Sequence, residues 1–200
     1  MRHHFEHNIN IKDLILTYRP ATILELGALR GENTVQILGL REVYPFKMVT
    51  ISDGPVSDAF SEVRQAVSLG DYEWKQGLSY ERIPELKDSS IECALIDTDH
   101  NYFIMTKELE ALYPKLFART IIVMHDTVSC LSQGQRAVGY GDENYQRSVD
   151  ECTAQGLTMN NAIDKFMERD HPNEWDILRM SREDAGCLAI SRAVKIGWME

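Results

Sequence analysis

Long apolar runs are missing from this chain of 200 residues, and no segment has the length needed to span a bilayer. Clustered positive charge is missing too: 21 Lys and Arg stand against 31 Asp and Glu, a net charge of −10. Phosphate backbones and anionic lipid surfaces are held by grouped cations, so no nucleic acid and no membrane partner is expected. Cysteine is scarce, and Cys93, Cys130, Cys152 and Cys187 form no Cys-x-x-Cys pair. Nothing therefore suggests a disulfide framework, and a reduced, cytoplasmic setting is expected. The first residues carry His3, His4 and His7 but no apolar signal core, and read as a solvated arm rather than a metal site. With no internal repeat and no low-complexity stretch, residues 1–200 read as one domain.

What is present is a regular alternation. Ile11, Leu14, Ile15 and Tyr18 follow the i, i+3, i+4, i+7 spacing of an amphipathic helix over 10–19, capped by Asn10 and ended by Pro20. Apolar strands are expected at 22–26, 47–51, 72–75, 91–96 and 120–124. Helices are expected at about 32–40, around Phe60, Val63 and Val67, and through Tyr102, Met105, Leu109, Leu112 and Leu116. The stretch 128–156 is polar and contains Gly139-Tyr140-Gly141-Asp142. It reads as an inserted loop with one or two short helices, of the kind that carries substrate contacts. Met159, Ala162, Ile163, Phe166 and Met167 restore a helix. Strands at 175–180 and 187–191 then close the chain; their short connection forces antiparallel pairing. The fold class is α/β: a Rossmann-like, doubly wound sheet of seven strands with a C-terminal antiparallel hairpin.

In such sheets ligands bind beyond the carboxyl ends of the strands. Polar residues collect there: Glu25 and Gly27, Asp53, Gly77 and Ser79, Asp97 to His100, and His125 to Thr127. The first group, Glu25-Leu26-Gly27-Ala28-Leu29-Arg30-Gly31, lacks the middle glycine of a dinucleotide fingerprint. Glu25 would also set negative charge beside a pyrophosphate. A cationic ligand without phosphate suits it better. S-adenosylmethionine is such a ligand, with Asp53 available to its ribose hydroxyls.

These segments resemble class I S-adenosylmethionine-dependent methyltransferases, within them the small-molecule O-methyltransferase branch. The resemblance rests on Glu25-Leu26-Gly27-Ala28-Leu29-Arg30-Gly31-Glu32-Asn33-Thr34, Ile96-Asp97-Thr98-Asp99-His100 and His125-Asp126-Thr127, which occur in the family's order. It implies an enzyme in which Glu25, Gly27 and Gly31 line the methionine end of the cofactor, with Ala28 and Thr34 also cofactor-binding. Ser52 or Asp53 would meet the ribose, and Gly77 to Ser79 would flank the adenine. Asp97 and Asp126 correspond to acids that bind a divalent metal in metal-using relatives. His125 departs from the acidic residue usual at its position, and Ala118-Arg119-Thr120 replaces a common Gly-Gly turn.

Two roles for this last group stay open. Asp97, His125 and Asp126 could hold Mg²⁺ or Mn²⁺, the imidazole shifting preference away from Mg²⁺ toward Mn²⁺ or Fe²⁺. Alternatively, Asp97 serves the cofactor and His125 is the general base. His100 is expected to start the following helix, and His171 to lie in a surface turn. Tyr140, Tyr145 and Arg147 are candidate contacts for a small-molecule substrate, walled by 128–156 and the N-terminal helix. The alternatives to methyl transfer to a hydroxyl oxygen are a non-catalytic nucleotide-binding module and a metal-dependent hydrolase using Asp97, Asp99, His100, His125 and Asp126. The oligomeric state is left open, a homodimer being one candidate.

Overall fold

A computed structural model describes residues 11–54, 56, 58, 60–127, 143–181 and 187–193. Its elements run α1 (Ile11–Tyr18), β1 (Thr22–Leu26), α2 (Glu32–Gly39), β2 (Lys47–Ser52), α3 (Ser61–Ser68), β3 (Tyr72–Gln76) and α4 (Ser79–Arg82). There follow β4 (Ile91–Ile96), α5 (Tyr102–Leu112), β5 (Leu116–His125), α6 (Glu143–Ala154), α7 (Met159–Asp164), β6 (Trp175–Ser181) and β7 (Cys187–Arg192). The strands form one seven-stranded sheet in the order β3-β2-β1-β4-β5-β7-β6. The first five are mutually parallel, and β7 pairs antiparallel with both β5 and β6. Chain direction thus reverses only at the closing hairpin, as the short 181–186 connection requires.

The central parallel strands β1, β4 and β5 carry apolar side chains on both faces because helices cover both, whereas the edge strand β3 is largely polar. Ile23, Met48, Cys93, Leu95, Ile121 and Val123 pack with α1, α2 and α3. Their neighbours Leu24, Ile51, Ala94, Ile96, Ile122 and Met124 pack with α5 and α7. The period of two along a strand then decides which way the terminal polar residues turn. Glu25, Asp97 and His125 share the face of Ile23, Leu95 and Val123. The register Leu95↔Val123 and Ile96↔Met124 continues to set Asp97 beside His125. Strand pairing alone therefore brings two of the expected site residues together.

Several boundaries differ from the sequence pattern. Helix α5 ends at Leu112, because Pro114 has no N–H to extend it, and Tyr113–Lys115 form a 3₁₀ turn. Leu116 is consequently the first residue of β5. That strand starts four residues before its apolar run, since Phe117, Ala118 and Arg119 face outward. Helix α3 buries Val63 and Ala66, while Val67 is exposed. The described part of 128–156 is a single twelve-residue helix, α6, seated on α5 through Tyr145, Val149 and Ile104. Tyr140, Cys130, Asn10 and the early histidines lie outside the described residues. No helix among the described residues is long and apolar enough to cross a membrane.

Candidate active site

The chain leaves β1 through a turn that needs glycine at two points. Gly27 has φ +82, and a Cβ there would run into the carbonyl of Asp97, 2.8 Å from its carbon. Gly31 has φ +83, and its Cβ would meet the Val56 side chain. Both glycines are thus required by the chain packing on itself, Gly27 where β1 passes the end of β4 and Gly31 where the turn meets the segment after β2. Between them, Ala28 is buried, and Leu29 is 85% exposed with φ +48, a left-handed conformation costly for a leucine. Gly31 donates its N–H to the Ala28 carbonyl at 2.6 Å, closing the turn onto the N-terminus of α2.

Glu25 and Thr34 do not line an open surface. Glu25 is 2% exposed; its Oε2 accepts from the Thr34 hydroxyl at 2.6 Å and the Thr50 hydroxyl at 2.9 Å. Burial pushes its carboxyl up to about 7, against the pull of the two hydroxyls. The residue ties β1 to α2 and β2 from behind the turn. On the next strand, Ser52 donates to the Gly54 carbonyl at 2.5 Å and accepts from the Trp74 indole at 3.1 Å. The half-buried Asp53 accepts at its carbonyl from Gln76. Gly77 has φ +136 and packs on the side chain of Arg82.

At the ends of β4 and β5 four side chains converge. His125 Nδ1 lies 2.8 Å from Asp126 Oδ1 and 3.3 Å from Asp97 Oδ1. His100 approaches the same acids, with Nδ1 3.2 Å from Asp126 Oδ2 and Nε2 3.5 Å from Asp97 Oδ1. His125 is buried, and Asp126 reaches the group through a left-handed backbone, φ +56. Burial opposes charge on His125, but Asp126 and Asp97 outweigh it and hold the imidazole up at about 9. Burial alone would likewise raise Asp97; the two imidazoles reverse this and carry it well below the usual carboxylate range. Cys187, paired with His125 across the β5–β7 ladder, stays a neutral thiol, pushed up to about 12 by burial.

A methyltransferase-domain family model matches residues 24–127, from β1 through the turn after β5. The chain belongs to this family. The methyltransferase domain also resembles solved structures of the same fold. A Podospora anserina methyltransferase bound to S-adenosylhomocysteine is 16% identical, with 90% of this chain and 75% of that one covered and a TM-score of 0.58. A Bacillus cereus O-methyltransferase in complex with the same compound is 14% identical, with 92% and 79% covered and a TM-score of 0.58. No curated protein sequence matches. Fold and family are those of class I S-adenosylmethionine-dependent methyltransferases, the enzyme class to which the ordered motifs pointed.

Of the side chains gathered at these strand ends, the sequence reading gave His100 a site role only in the hydrolase alternative and missed Glu108 altogether. His100 was expected to start α5, but Asn101 is the cap, its side chain accepting from the Ile104 N–H at 2.9 Å. His100 sits just before that cap and joins Asp97, His125 and Asp126. Glu108 is fully buried; the Ser79 and Thr98 hydroxyls donate to its carboxyl, which burial pushes up to about 7. Ser79 thus faces α5 rather than an open adenine site. A signal for Glu108 existed: it occupies a core position in the 105, 108, 109, 112 stripe, where a lone carboxyl needs partners. His171, expected in a surface turn, stacks on Tyr113 at 3.6 Å between ring centroids.

Beside this network a cleft of about 500 Å³ is lined by Leu78, Tyr80, Glu81, Phe103, Asn144, Tyr145 and Ser148. Tyr145, a sequence candidate for substrate contact, donates its phenol to Asp99 Oδ2 at 2.6 Å. The other described candidate, Arg147, donates to the Asn144 side chain on the exposed side of α6.

Proposed function

We propose that the chain transfers a methyl group from S-adenosylmethionine to a hydroxyl oxygen of a small molecule. The observation that carries this reading is the gathering of Asp97, His125 and Asp126 at adjacent strand ends, in a chain of the methyltransferase family. Methyl transfer is an in-line displacement at a carbon already activated by the sulfonium. The protein must align the acceptor, exclude water and make the acceptor oxygen nucleophilic.

In this reading the turn from Gly27 through Ala28 to Gly31 cradles the methionine end, with Glu25 and Thr34 holding the turn from behind. Ser52 and Asp53 serve the ribose, and Gly77 lies at the adenine side with Ser79 behind it. Asp97 bridges the two halves, since its backbone abuts Gly27 and its carboxylate faces His125. Helix α6 walls the acceptor side and keeps water out.

The donor set fits a divalent cation of the Mg²⁺ or Mn²⁺ class: two carboxylates and an imidazole aimed at one point. Such a cation supplies Lewis acidity that lowers the pKa of an acceptor hydroxyl. The metal-free alternative is weaker. With Asp126 and Asp97 holding its pKa up at about 9, His125 is protonated at neutral pH and a poor general base. The test is to incubate the protein with S-adenosylmethionine and a panel of small phenols, catechols, sugars, amines and thiols, with and without divalent cations. Methylated product of the expected mass, reduced at least tenfold by Asp126→Asn, supports the reading. Methyl transfer only to amines or thiols refutes the oxygen assignment.

A further inference from the structure

We propose that His100 is a fourth ligand at the cluster, so that Asp97, His100, His125 and Asp126 together select a first-row transition dication over Mg²⁺. This rests on the cation site inferred above and extends it to a residue and a metal class. One donor atom from each of the four residues lies within 4.8 Å of all the others. His125 Nδ1 stands 2.8 Å from Asp126 Oδ1 and 3.3 Å from Asp97 Oδ1, while His100 offers either Nδ1, 3.2 Å from Asp126 Oδ2, or Nε2, 3.5 Å from Asp97 Oδ1. Bonds of about 2.1 Å to a single ion set neighbouring donors roughly 3.0 Å apart in an octahedron and roughly 3.4 Å apart in a tetrahedron. The observed spacings bracket both values. Spacings of this size suit a shared ion, to which each imidazole would give one nitrogen and each carboxylate one oxygen.

The chemistry of the donors narrows the ion. Mg²⁺ takes oxygen ligands and retains its waters, whereas imidazole nitrogen suits zinc, copper, iron and nickel. One imidazole among oxygens leaves that preference weak; two make nitrogen half of the set.

The fold also explains why His100 turns inward. Asn101 caps α5, and its own N–H bonds the Asp99 carbonyl at 3.0 Å. Tyr145 on α6 clamps the Asp99 carboxylate at 2.6 Å. With residues on both sides of His100 pinned, its ring is directed at Asp126 and Asp97, and it is 11% exposed.

The experiment uses the full chain after dialysis against a chelator. Co²⁺, Mn²⁺, Zn²⁺ and Mg²⁺ are titrated calorimetrically, and the visible ligand-field spectrum of the Co²⁺ form is recorded for wild type, His100→Ala and His100→Asn. Loss of partners that merely orient a ligand weakens metal binding by roughly 10–100-fold, so loss of a ligand should weaken Mn²⁺ and Zn²⁺ by at least ~10-fold. The expected result is one transition ion per chain, bound more tightly than Mg²⁺. Both variants should lose that affinity and shift the Co²⁺ spectrum, while circular dichroism stays that of the wild type. Unchanged affinity and spectrum in the variants would overturn the assignment of His100. Wild type that binds none of the four ions makes the cluster an ion-pair network and overturns the proposal. S-adenosylhomocysteine is titrated into the same samples. Heat from that compound in a chain that binds none of the four ions would leave a metal-free methyltransferase, whereas metal binding with no heat from that compound would uphold this site and remove the methyl-transfer reading.

Discussion

Replacing Gly27 by alanine tests the close passage of β1 past β4 on which the site is built. The substitution has two costs. A residue with a Cβ at φ +82 carries a left-handed strain of about 1–2 kcal/mol. The Cβ also overlaps the Asp97 carbonyl and lies 3.2 Å from the Thr98 nitrogen. These are backbone atoms that cannot rotate aside, and overpacking of this kind costs about 1–3 kcal/mol. Gly70→Ala is the control: Gly70 has φ +71, and nothing lies within 4 Å of its Cβ. Any gain from stiffening the unfolded chain is common to both variants. In urea unfolding, Gly70→Ala should therefore lose about 1 kcal/mol and Gly27→Ala about 3 kcal/mol. Because the displaced carbonyl is that of Asp97, the folded fraction of Gly27→Ala should also bind S-adenosylhomocysteine more weakly. Equal losses in the two variants would refute the steric reasoning.

Glu108 should make stability depend on pH. Its carboxyl, near 4.5 when unfolded and about 7 in the fold, contributes stability below about 4.5 and loses it as pH rises through about 7, at a cost of about 3 kcal/mol. Glu108→Gln should thus be more stable than wild type at pH 8 and gain nothing at pH 5; parallel unfolding curves at both pH values would contradict the shift. Thr34→Val removes one of the two hydroxyls donating to buried Glu25 and should cost about 1–3 kcal/mol. Thermal melts read that loss, and a change under ~0.5 kcal/mol would show the bond to be unimportant. Tyr145→Phe removes the phenol bonded to Asp99, with an expected loss of about 1.5 kcal/mol; faster amide exchange in α6 would locate that loss.

The fold was legible because its central strands β1, β4 and β5 contain apolar runs punctuated by polar ends, and Asp97, His125 and Asp126 sit at those ends. Where elements failed to show, a physical reason is visible. At its outset β5 exposes Phe117, Ala118 and Arg119 and buries only Leu116, so no continuous buried run marks the start of the strand. Glu25 was legible as important, but its hydrogen-bond partners were not. Its even spacing from Ile23 sends it to the α2 face, where Thr34 and Thr50 wait, and that needs the register of β2 to see. His100 was hidden by its neighbour: a histidine beside a helix start reads as part of the helix until Asn101 is known to be the cap. Glu108 broke an apolar stripe, but its partners Ser79 and Thr98 come from two other segments that no local pattern connects to α5.

The account stands most directly on one titration: S-adenosylhomocysteine into the purified chain, followed by calorimetry, for wild type and for Asp53→Ala. It predicts saturable heat at one ligand per chain, with affinity at least tenfold weaker in the variant, as expected for losing hydrogen bonds to a charged group. Absence of heat in the wild type, at protein concentrations high enough to detect millimolar binding, would contradict it.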